Sequence, residues 1–221
     1  MKEGVRYGVF AIALALAGCA SGPLAPDWQT NAKSALERAA VAYLKGDTHI
    51  AQVEFERARG EVARTGRADL VARVELARCA AQVASLAFDA CEGFEALRAD
   101  AAAPERAYAD YLAGRLQPHD AGELPPQHRA VAARLNAGEA DAALRAIEDP
   151  LARLVAAGVV FRTNRSTPAT IALAIDIASA QGWRRPLLAW LNVELARAEK
   201  AGDREQADRL RRRIALVQGA R

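Results

Sequence analysis

Residues 30–62 read TNAKSALERAAVAYLKGDTHIAQVEFERARGEV, two periodic runs hinged on Gly46-Asp47. Before the hinge, Ala35, Leu36, Ala39, Ala40 and Tyr43 recur at helical spacing and so share one face. Thr30 or Asn31 offers a side-chain oxygen to the first turn, and the helix is expected to run to about Lys45. After the hinge, Ile50, Ala51, Phe55, Ala58 and Val62 form a second stripe, and Thr65-Gly66 breaks it near Arg64. Two amphipathic helices joined by so short a turn must run antiparallel, stripe against stripe. The stretch predicts a helical hairpin.

The same grammar extends outward. Apolar residues make up 52% of the chain and aromatics only 5%, so much of the apolar content is alanine. Alanine, leucine, arginine and glutamate are the strongest helix formers. The expected class is all-α with closely approaching helices. A third helix is expected over residues 67–87, with Leu70, Val74, Ala77, Ala81 and Ala84 on one face. Two short helices follow, separated near Pro104 and carrying Phe94, Leu97, Tyr108, Tyr111 and Leu112. Residues 116–127 hold Pro118, Gly122, Pro125 and Pro126 without a period, which marks an internal boundary or exposed loop between an N-terminal half (30–115) and a C-terminal half (128–221). Pro126, Pro150, Pro168 and Pro186 each stand where a helix can start, because a missing N–H is harmless there. Asp149 and Thr167 are natural caps before two of them. Trp183, Leu187, Trp190, Leu191 and Leu195 form the strongest apolar stripe, and a last helix is expected over residues 203–217. Residues 158–167 break the pattern: Val159-Val160-Phe161 looks strand-like, and the polar run Arg162 to Thr167 reads as a loop.

The opening hairpin resembles a tetratricopeptide (TPR) repeat. The resemblance is carried by Gly46-Asp47, Ala51, Phe55 and Ala58, where turn glycine, small residue and large residue stand at that family's spacing. The first half departs, since Ala35, Ala39 and Ala42 stand where larger or glycine positions belong. The turn signal recurs at Gly138 and Gly202, but not at multiples of roughly 34 residues. Two descriptions stay open: degenerate TPR-like antiparallel hairpins, and an irregular α-helical bundle with glycine turns.

The N-terminus has the order of a secretory signal: Lys2 and Arg6, an uncharged apolar run over residues 8–17, then small residues. The run is about half the roughly twenty residues that a spanning helix needs. Leu16-Ala17-Gly18-Cys19 resembles a bacterial lipobox. That resemblance implies removal of residues 1–18, cleavage between Gly18 and Cys19, and a covalent lipid on Cys19 as the only prosthetic addition. Ordinary cleavage after Ala17 is the competing reading. Cysteine parity favours the lipobox: of Cys19, Cys79 and Cys91, lipidation of the first leaves one pair. Ala20, rather than an aspartate, follows the lipobox, which by resemblance to Gram-negative lipoproteins implies the outer membrane, periplasmic face. Residues 19–29, with Gly22, Pro23 and Pro26, then read as a tether closed by Trp28.

No constellation carries chemistry. Cys79 and Cys91 can form a disulfide if the chain reverses near Phe88; a continuous helix would hold them ~18 Å apart. Two buried thiols are the alternative. His49, His119 and His128 are scattered and match no metal spacing, so no catalytic or metal residues are assigned. The formal charge is only +3, and arginines alternate with acids along the helices. That is a solvated, salt-bridged face, and it excludes nucleic acid as an expected partner. Arg162, Arg165, Arg184 and Arg185 form a candidate positive interaction surface if the irregular loop meets the Gly182 turn. Arg209, Arg211, Arg212 and Arg213 form a second basic run. The expected function is a lipid-anchored helical scaffold that binds an envelope protein partner and touches outer-membrane lipid through Cys19. The alternatives are a peptidoglycan-acting enzyme or its regulator, with the loop near Arg162 at its site, and a structural tether that meets membrane or cell wall through its basic last helix.

Overall fold

A computed structural model describes residues 25–135 and 139–219. The signal sequence, Gly18, Cys19 and the Gly138 turn lie outside them. Within the described residues the chain is all-helical: α1 (Asp27–Lys45), α2 (Thr48–Ala63), α3 (Ala68–Ala84), α4 (Glu92–Glu95), α5 (Ala103–Leu112), a 3-10 helix (Pro118–Glu123), α6 (Pro126–Arg134), α7 (Ala140–Arg145), α8 (Pro150–Arg162), α9 (Pro168–Ala180), α10 (Arg184–Ala201) and α11 (Arg204–Gly219). No helix among them is long and apolar enough to cross a membrane.

The α1–α2 hairpin forms along its stripes, except that Ile50 of the second stripe is exposed. Ala35 and Ala39 of α1 and Ala51, Phe55 and Ala58 of α2 are buried. Gly46 turns the chain at φ +99°, a conformation that costs glycine nothing, and donates its N–H to Ala42 and Tyr43 carbonyls. The helix starts earlier than the Thr30 or Asn31 cap suggests. Pro26 precedes it, Asp27 sits in its first turn, and Trp28 packs beside Leu36 and Leu70 on a small cluster around Ala32, Ala58 and Val71. An acid near the helix N-terminus suits the dipole without a side-chain cap.

The main core reaches from Leu44 and Ala72 to Leu210 and Ile214, so one hydrophobic cluster draws on both sides of residues 116–127. Its axis is α8. Leu154, Ala156, Ala157, Val159 and Val160 of that helix are wholly buried, the pattern of a helix apolar all round. Gly158 lets it lie directly against α3: a Cβ there would overlap the carbonyl oxygen of Val83. This corrects the strand-like reading of Val159-Val160-Phe161. Those residues are β-branched or aromatic because they are enclosed, and they are helical. Only residues 163–167 form a loop. There Asn164 takes φ +57°, and Thr167 caps α9 by accepting from the Thr170 N–H at 3.1 Å. Asp141 of α7 accepts from the hydroxyls of both Thr167 and Thr170 at 2.6 Å, which pins the loop. Asp149 caps α8 through the Ala152 N–H at 2.6 Å.

The third helix is also shorter than its stripe suggests. It ends at Ala84, and Leu86 at φ +57° reverses the chain. The reversal brings the Cα atoms of Cys79 and Cys91 to 5.9 Å, and the two are joined by a disulfide. Trp190 of α10, fully buried, donates its indole N–H to the Ala84 carbonyl at 3.1 Å and so satisfies one orphan acceptor at the end of α3. The proline-rich segment is ordered by its 3-10 helix, with Leu124 buried behind it.

Candidate functional site

The four arginines singled out from the sequence do not share one concavity. Arg162 ends α8; its guanidinium donates to the Leu112 carbonyl at 3.3 Å and stands 5.2 Å from the Phe88 ring centre. Burial, and then the neighbouring Arg115 cation, push its pKa down. Arg165 is exposed on the loop. Arg184 and Arg185 belong to the opposite end of α10's neighbourhood, at the α1–α2 turn. Arg184 lies against Gly46, and Arg185 donates to the Tyr43 carbonyl and the Thr48 hydroxyl, both at 2.7 Å, with its guanidinium 4.2 Å from the Tyr43 ring centre. These contacts make Arg185 a clasp between the first hairpin and α10. In the last helix, Arg209 pairs with Glu205 at 2.9 Å, and Arg211 with Glu199 and Asp208 at 2.6 and 2.7 Å.

A concavity with apolar walls that none of these four arginines lines lies elsewhere. A cleft of about 650 Å³ opens between α1, α3, α5, α8 and the segment that links the 3-10 helix to α6. Its walls are apolar: Leu36 and Ala40 from α1, Leu76, Ala77 and Ala80 from α3, Leu151 and Val155 from α8. Clefts of roughly 300–1,000 Å³ with apolar walls and a few convergent polar groups are the usual form of a ligand site.

Three polar side chains, His128, Tyr108 and Glu105, line its floor. His128, in the first turn of α6, is 2% exposed, and Pro125 and Pro126 fix the approach of the backbone to it. Its ring centre lies 5.6 Å from that of Tyr108 and 5.2 Å from that of Tyr111, one turn apart on α5. Glu105, 6% exposed, receives the Arg73 guanidinium on one carboxylate oxygen at 2.6 Å. The other Glu105 oxygen and His128 Nδ1 are buried and find no hydrogen-bond partner among the described residues; the Tyr111 hydroxyl is unpaired too, but Tyr111 does not line the cleft. Buried polar atoms are nearly always paired, so unpaired ones on side chains that line a cleft point to a missing ligand or water.

Burial sets the protonation of the floor. It pushes His128 down to about 4, against a smaller upward pull from Asp149, so the imidazole is neutral at pH 7. It pushes the Tyr108 and Tyr111 phenols up, and both stay protonated. The imidazole and the phenols are therefore neutral hydrogen-bonding groups at pH 7. The loop of residues 163–167 contributes nothing to this cleft. Among the described residues no group of three or more His, Cys, Asp or Glu side chains is placed to hold a metal ion.

His128, Tyr108 and Glu105 escape the sequence reading because each looks ordinary alone. The available signal is a histidine directly after Pro125-Pro126 and a tyrosine pair at helical spacing, both on faces that must turn inward. Compared with protein-family models, with curated proteins and with solved structures, the chain matches none.

Proposed function

We propose that the chain is an outer-membrane lipoprotein facing the periplasm, lipidated on Cys19, that serves as a helical interaction scaffold in cell-envelope assembly and seats its partner in the α1/α3/α5/α8 cleft. The observation that carries the cleft's role is the combination of apolar walls with unpaired buried polar atoms on two lining side chains, Glu105 and His128. The signal anatomy and the residue order Leu16-Ala17-Gly18-Cys19 support the anchor. The TPR resemblance of the first hairpin supports a role in holding other proteins, because stacked hairpins create concave surfaces.

The test places a photo-cross-linking residue at Ala77, inside the cleft, or at Arg204, on α11, and illuminates intact envelopes. A discrete protein adduct is expected from Ala77, not from Arg204, and it should disappear in a Cys19→Ser variant. Identical adducts from both positions, or none from Ala77, would overturn the proposal.

A further inference from the structure

The charge around the cleft narrows what fits it. Glu37, Glu105, Glu123 and Asp149 line it against only Arg73 and Arg129. Both cations are already engaged, Arg73 by Glu105 at 2.6 Å and Arg129 by the Leu124 carbonyl at 2.7 Å. Each spends only its Nε–H there, but the lining still carries more carboxylates than cations. The unpaired floor atoms, by contrast, include acceptors: a Glu105 carboxylate oxygen, which can only accept when ionised, and an imidazole that keeps one nitrogen as an acceptor when neutral. A buried acceptor left without a donor costs its full desolvation, so an occupant that supplies the donor is favoured over one that does not.

We infer that the cleft selects an apolar segment of a protein partner that donates a hydrogen bond to the Glu105–His128 floor and carries no acidic side chain. The inference rests on the reading of the cleft as the partner's seat, and it adds the chemistry of the occupant. Asparagine, tryptophan or a basic side chain among aliphatic neighbours meets it. Aspartate or glutamate at the floor does not, because the excess of carboxylates in the lining repels it.

Three fluorescent probes isolate the two requirements on the purified chain. N-phenyl-1-naphthylamine is apolar and carries one N–H. Its N-methyl derivative lacks the donor. Its 5-sulfonate adds an anion away from the N–H. The parent amine is expected to bind, the N-methyl derivative about fivefold or more weakly, and the sulfonate at least about tenfold more weakly. Ala77→Trp, which fills the cleft from a half-buried position, should remove the parent's binding. A double E37Q/E123Q variant, changing two exposed rim acids, should narrow the penalty on the sulfonate. Equal binding of the sulfonate or of the N-methyl derivative at an Ala77-sensitive site would overturn the inference and leave the cleft standing as a seat. No binding of any probe would overturn it as well, while the Ala77 adduct in envelopes judges the seat separately. An acidic residue at the cross-linked position of that adduct would likewise overturn it.

Discussion

Acidification should weaken the fold before the carboxylates titrate, and His128 is the reason. An unfolded chain protonates this imidazole near 6.5, whereas the folded chain resists until about 4 because the ring is buried between Tyr108 and Tyr111. Between those values the unfolded state binds the extra proton, so stability falls as pH falls from about 6.5 to about 4. At ~1.4 kcal/mol per pH unit, the whole interval amounts to about 3 kcal/mol, a large part of the 5–15 kcal/mol typical of a folded domain. Urea unfolding followed by far-ultraviolet circular dichroism at half-unit steps from pH 7.5 to 4 would measure it. A His128→Phe variant keeps an aromatic ring between the tyrosines and lacks the titration. Its unfolding free energy should stay within ~1.5 kcal/mol of the wild type at pH 7.5 and should decline less across the interval. Parallel wild-type and variant curves, or a His128 titration near 6.5 by nuclear magnetic resonance, would refute the reasoning.

Further outcomes follow from other contacts. Reduction of the Cys79–Cys91 disulfide, which closes a separation of 12 residues, should cost ~3 kcal/mol and shift the urea midpoint of the wild type but not of a Cys91→Ser variant. Gly158→Ala should destabilise the protein by ~1–3 kcal/mol, although alanine favours helices, because the new methyl group meets the backbone of Val83; calorimetry at pH 7.5 would register the lower melting temperature. Arg185→Ala should cost ~1–3 kcal/mol, with its two hydrogen bonds and its contact with the Tyr43 ring gone. Hydrogen exchange should then rise in α1 and α2 ahead of α8.

Helix positions were largely legible because periodicity is local. The stripe Ala35, Ala39 and the cap residues Asp149 and Thr167 need only their immediate neighbours to reveal them. The run Val159-Val160-Phe161 was not, because a short β-branched apolar run serves a buried strand and a buried helix equally well. What decides it is α3 lying against Gly158, a contact from far along the chain. The cleft was less legible still. Its walls come from α1, α3, α5 and α8, and no local pattern says that Leu36 and Val155 border the same space. The arginines at 162, 165, 184 and 185 drew notice as a charge cluster, yet Arg162 and Arg185 spend their donors on Leu112 and Tyr43 carbonyls.

The clasp of Arg185 on the first hairpin also governs how the architecture can grow. Arrays of stacked hairpins lengthen by duplication, since each end is a free face that accepts another unit. Here α1 packs against α10, and Arg185 bonds across 142 residues to Tyr43. The first and tenth helices meet, so that side of the first hairpin is already taken. A hairpin copied in between them would have to prise that meeting apart, whereas α11, packed on α10 with Leu216 exposed, leaves the other side open to growth.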